Sequence, residues 1–88
     1  MASAFVLIKV EDGDVEEIRK NLEEMPEVEE HYSVLGMYEV LSLVKSETIT
    51  DLQNHVSSTI DKIRGISTTL TLIIIDPEPE DIEGDITK

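Results

Sequence analysis

In 88 residues the chain carries 20 acidic side chains against 7 basic ones, a net charge of −13, and no cysteine. These numbers allow one small domain, exclude disulfides and thiolate metal sites, and leave no clustered Lys and Arg for direct contact with nucleic-acid phosphates. Six of the acids follow Ile75, and the remainder still holds 14 acids against 6 basic residues, so the folded part is acidic in its own right.

"AFVLIKV" (Ala4–Val10) is apolar on both parities, Phe5 and Leu7 on one side, Val6, Ile8 and Val10 on the other, and reads as a strand buried on both faces. Asp12 or Asp14 can cap a helix over "VEEIRKNLEEM", where Val15, Ile18, Leu22 and Met25 recur at helical spacing until Pro26 ends it. "EVEEHYSVL" (Glu27–Leu35) alternates as a strand with Val28, Tyr32 and Val34 on one side. Gly36 turns the chain into a second strand, Glu39–Lys45, so the two form an antiparallel hairpin. A second helix begins at a Ser46 or Thr48 cap. It draws a stripe through Ile49, Leu52, Val56, Ile60 and Ile63, carries Lys62 and Arg64 in its last turn and stops at Gly65. "ISTTLTLIII" (Ile66–Ile75) is the last strand, with Ile66, Leu70, Leu72 and Ile74 on one face. The order β-α-β-β-α-β predicts an α+β, ferredoxin-like domain over residues 1–75, a four-stranded antiparallel sheet with two helices on one face. Residues 76–88 form an acidic tail with two prolines, whose composition predicts disorder.

Two helices cover one face of such a sheet, yet three strands are apolar on both. An uncovered apolar face of several hundred Å² is more than a soluble monomer usually exposes, so the chain is expected to form a homodimer with the sheets face to face. No stretch approaches the roughly 18 apolar residues of a membrane span, and the N-terminus lacks a basic, signal-like start. The expectation is a cytoplasmic protein with no membrane contact.

The hairpin tip holds the candidate site. Gly36 permits a positive φ and close approach of a ligand, Glu39 can accept from an ammonium, and Ser67, Thr68 and Thr69 supply hydroxyls at the start of the last strand. Together they can serve both ends of a zwitterion. The ordinary roles of the same residues are a turn glycine and β-propensity. His31 and His55 have no ligand-type partner at recognised spacing, so they read as surface or half-buried histidines and no metal or other cofactor is expected.

"AFVLIKV", "MPEVEE", "VLGMYEV" and "ISTTLTLIII", in that order, resemble the RAM domain, the effector and oligomerisation module of Lrp/AsnC-type transcription regulators. The resemblance covers Ala4 to about Ile75 and leaves no room for a helix-turn-helix domain within these residues. It implies a dimeric α/β barrel that assembles into a higher oligomer and takes a small effector, usually an amino acid, near the hairpin tips. It places ligand-binding residues at Gly36, Met37, Tyr38, Glu39, Thr68 and Thr69, with Glu39 where the family more often has Asp. The extra methylene moves the carboxylate by about 1.5 Å. Full-length regulators of this type are implied partners, modulated without DNA contact by this chain. Two alternatives stand beside this reading: a small dimeric α/β-barrel enzyme, monooxygenase or isomerase in type, using His31, Tyr32 and Glu39, or a purely structural oligomerisation domain.

Overall fold

The computed structural model describes residues 1–75; the acidic tail, 76–88, lies outside them. Strands β1 (Ala2–Val10), β2 (Val28–Ser33), β3 (Val40–Ser46) and β4 (Ile66–Ile74) alternate with helices α1 (Val15–Glu23) and α2 (Ile49–Ser58) in the expected β-α-β-β-α-β order. The sheet order is β2-β3-β1-β4, and all three pairings are antiparallel. The hairpin therefore joins an edge strand to a central one, and β4 forms the other edge.

Local chemistry sets the helix starts. Asp14 and Thr48, both in extended backbone, are the two N-caps. The Asp14 carboxylate accepts from the Glu16 N–H at 3.0 Å and the Thr48 hydroxyl from the Asp51 N–H at 3.0 Å. Each satisfies one of the donors a helix leaves free at its N-terminus. One face of each helix then closes over the sheet. Ile18, Leu22, Leu52, Val56 and Ile60 meet Ala4, Val6, Ile8, Val40 and Val44 in a single core. The one buried polar side chain in that core, Ser42, donates its hydroxyl to the Val6 carbonyl at 3.2 Å, so its polarity is satisfied.

The second helix is shorter than its stripe suggests. It ends at Ser58, the Thr59 backbone leaves the helical region at φ −123°, and a 3₁₀ turn over Ile60–Lys62 follows. Gly65 does have a positive φ, +95°, but it shapes the turn into β4 rather than the end of α2. Ile49 is 48% exposed and takes no part in the core stripe.

Two β-bulges correct the expected faces. Val28 pairs with Val44 and Glu30 with Leu43, so Glu29 is an extra residue in β2. Strict alternation from Val28 would drive the Glu30 carboxylate beneath the helices, at a cost of several kcal/mol for an unpaired charge. The bulge instead leaves Glu29 and Glu30 both exposed and turns His31 toward the helices and Tyr32 to the opposite face. In β4, Thr68 pairs with Lys9 and Ile66 with Val10, which makes Ser67 the extra residue. Ile66 thereby packs against the core instead of sharing a face with Leu70, Leu72 and Ile74.

The face away from the helices is ordered in rows across the strands. Leu41, Leu7 and Leu70 stand side by side, then Leu43, Phe5 and Leu72, then Lys45, Ser3 and Ile74. Tyr32 extends the first of these rows onto β2. Phe5 is 39% exposed, Leu70 42%, Leu72 48% and Tyr32 50%, so the second apolar face anticipated from the strand composition is open to solvent in a single copy.

Candidate functional site

The β2–β3 connection, residues 34–39, closes through a Val34 N–H bond to the Glu39 carbonyl at 2.9 Å. Gly36 at its tip has φ +137°, a conformation side-chain-bearing residues rarely adopt, and a Cβ there would meet no atom within 4 Å. The glycine serves the backbone, and the space above it is free. Leu35 and Met37 flank it almost fully exposed, while Tyr38 is half-buried.

Glu39 fastens this loop to β1. Its N–H donates to the Ile8 carbonyl at 3.0 Å, and its Oε1 accepts from the Val10 N–H at 2.8 Å. Its Oε2 lies 3.8 Å from the Lys9 ammonium, which also donates to the Met37 carbonyl at 3.1 Å. Oε1 is thus committed to a backbone N–H, while Oε2, beyond hydrogen-bond reach of the ammonium, keeps acceptor capacity. Lys9 itself was missed in the sequence reading. The signal for it lay in strand parity, because Phe5, Leu7 and Lys9 share a face and Lys9 ends the apolar row.

Thr68 pairs with Lys9 and stands beside it on the open face, at the same end of the sheet as the hairpin loop. Thr69 turns the other way, and its hydroxyl donates to Asp61 Oδ1 at 2.7 Å. A shallow hollow of about 300 Å³ runs along Asp61 and Ile66–Thr69. Gly36, Met37, Tyr38, Glu39 and Thr68 thus gather at one end of the sheet with Lys9 between them, and Thr69 faces away.

The three candidates for an enzymatic cluster are not brought together. His31 faces α1, where its Nδ1 accepts from Arg19 Nε at 2.9 Å and its Nε2 meets Glu23 Oε1 at 2.5 Å. That pairing places the ring proton on Nε2. Arg19 further donates to the Ser33 hydroxyl and the His31 carbonyl, clamping α1 to the β2 edge. Tyr32 lies on the other face and Glu39 at the loop. His55 is half-buried, its Nδ1 2.9 Å from the Thr59 hydroxyl.

The Tyr32 hydroxyl donates to Glu30 Oε1 at 2.8 Å, and that bond together with the carboxylate charge pushes the phenol above its ordinary value. A raised folded-state value means the contact supports the fold while the phenol is protonated, through neutral pH, and is lost as alkali removes the proton. In a Tyr38→Phe background, phenolate absorbance is expected to rise at higher pH with Glu30 present than in the Glu30→Gln variant.

The family model described as the Lrp/AsnC ligand binding domain matches residues 3–81. The HTH-type transcriptional regulator FL11 of Pyrococcus horikoshii is 31% identical over 80 residues, covering 91% of this chain and 52% of the regulator. The chain thus spans about half the length of the curated relatives it matches, and those relatives are regulatory proteins by name. The crystal structure of FFRP-DM1 is similar at TM-score 0.81 and 36% identity, over 85% of this chain and 100% of that one. The Neisseria meningitidis transcriptional regulator NMB0573, solved as an L-Met complex, shares the fold at TM-score 0.73 and 14% identity, over 85% of this chain and 50% of that one. Sheet order, loop and match along nearly the whole chain agree, and the protein belongs to the Lrp/AsnC ligand binding domain family.

Proposed function

We propose that this domain pairs through its open sheet face and binds an amino-acid effector at the hairpin end of that face, between dimers of a larger assembly. Gly36, Met37, Tyr38, Glu39 and Thr68 line the site, with Thr69 behind it on β4. The observation that carries the reading is the open face itself: two apolar rows ending in polar groups beside an exposed, glycine-tipped loop. A second copy is the simplest cover, since a two-fold pairing sets the same apolar rows of both copies against each other. A standard interface hides about 800 Å² on each partner. At about 25 cal/mol per Å² of apolar surface the gross gain approaches ~20 kcal/mol before association and ordering costs.

An effector shifts such an assembly only by binding one state more tightly than another. The same face offers a full-length Lrp/AsnC-type regulator a matching surface, and the net charge of −13 favours action on that regulator rather than on DNA. Calorimetry and sedimentation with each proteinogenic amino acid test the proposal. At least one is expected to bind with a measurable heat and to change the mass in solution. Silence from all of them, with mass unchanged, would leave only the structural role.

A further inference from the structure

We propose that the groove between the two helices is a docking site for an acidic, aliphatic segment, and that its occupant is residues 80–86 of the same chain. The groove, about 450 Å³, separates α1 from the 3₁₀ turn that follows α2. It lies on the helix side of the molecule, so a second copy on the open sheet face leaves it accessible. Met25 and Ile63, both half-buried against the core, give it an apolar lining, and Asn21 and Thr59 add polar groups. Lys62 and Arg64 stand exposed at its rim, against one carboxylate, that of Glu17. Lys9 and Lys45 lie 3.8 and 3.4 Å from carboxylates, and Arg19 is bound to His31 and Ser33. Lys62 and Arg64 make no ion pair among the described residues, in a chain whose net charge is −13. Two adjoining cations beside an apolar lining favour a negatively charged segment with aliphatic side chains.

The end of the sequence supplies that complement. Glu80, Asp81, Glu83 and Asp85 surround Ile82 and Ile86. The point of departure also fits. Ile74 pairs with Ser3, while Val28, which bonds back to Met25, pairs through Val44 with Ala4. The chain therefore leaves β4 at the end of the sheet where Met25 opens the groove. The path is about two strand spacings across and one layer up, about 20 Å in all. Six residues, Asp76–Asp81, span up to about 20 Å. The path crosses α2, whose exposed Gln53, Asn54, Ser57 and Ser58 carry no charge to repel it. A segment too polar to build a core of its own can still order on contact. Tethering holds its local concentration on the order of millimolar, so individually weak contacts are enough.

The full chain has no cysteine, so a nitroxide on the Thr87→Cys variant reports on this segment alone. It is read as broadening of backbone amide signals, measured against the reduced label. The amides of Met25, Lys62, Ile63 and Arg64 are expected to lose most of their intensity, and those of Leu7 and Leu72 on the open face to keep theirs. Lys62→Glu combined with Arg64→Glu is expected to restore the lost signals. Ile82→Ser combined with Ile86→Ser is expected to restore them as well, although it leaves every charge in place. Unshifted β1 amides identify the variants as folded. Broadening spread evenly over the exposed residues, or centred on the β4 edge, overturns the proposal. Broadening that survives either pair of substitutions overturns it too. Equal broadening in isotope-enriched, unlabelled chains mixed with spin-labelled, unenriched ones would put another copy's segment in the groove, against the assignment to the same chain.

Discussion

The Leu72→Glu variant is expected to sediment as a folded single copy near 9.9 kDa, and the wild type at twice that mass or more. Leu72 sits beside Phe5 in the middle of the open face and is 48% exposed in one copy, so a carboxylate there meets water as long as the copy is alone. The fold loses little. In a two-fold pair, by contrast, the substitution buries two like charges without partners, several kcal/mol each, against a net association energy of comparable size. Far-UV circular dichroism is expected to match the wild type while the mass falls. An unchanged mass would show that this face is not where copies meet.

The largest expected loss of stability from one small substitution is at Gly65. Its φ is +95°, and a Cβ placed on it would lie 2.8 Å from Gly13 Cα. Here the turn after β1 crosses the turn before β4, and the Glu11 N–H bonds the Gly65 carbonyl at 3.0 Å. Gly65→Ala carries a backbone penalty of about 1–2 kcal/mol and an overpacking penalty of about 1–3 kcal/mol, because the opposing atom is main chain and cannot swing away. The sum, about 3 kcal/mol, is a large share of what a domain of this size has in total. Gly36→Ala carries only the first penalty, since nothing lies within 4 Å of its Cβ position. Urea unfolding at matched protein concentration compares the two. Equal midpoints would refute the close crossing.

Most of the architecture is legible in the residues. Apolar runs, caps and turns give the element order, and the double-sided apolar pattern of β1 gives the open face. The bulges are not legible, because a period-two count is local. Whether Glu29 drops out of the ladder depends on what Glu30 would otherwise meet beneath the helices. The break at Thr59 escapes notice for a related reason. A 3₁₀ turn keeps Ile60 pointing inward as a continuing α-helix would, so the stripe through Leu52, Val56 and Ile60 looks the same either way. The hairpin site was half visible. Gly36 and Glu39 announce themselves, but what Glu39 holds is a backbone N–H of another strand, and the adjoining Lys9 lies 30 positions earlier in the chain.

The sheet order has a further consequence for solution behaviour. From Ile66 to Ile75 there is neither a charge nor a proline, and β4 is an edge. Its counterpart β2 carries two glutamates beside its bulge, but β4 is bulged only at its start, at Ser67, and from Thr68 on presents an uncharged template for stray strands, the kind of segment that seeds fibrils. Long-range repulsion between copies carrying 13 surplus negative charges is then what keeps random encounters apart. The acidity of this chain acts as its gatekeeper against aggregation.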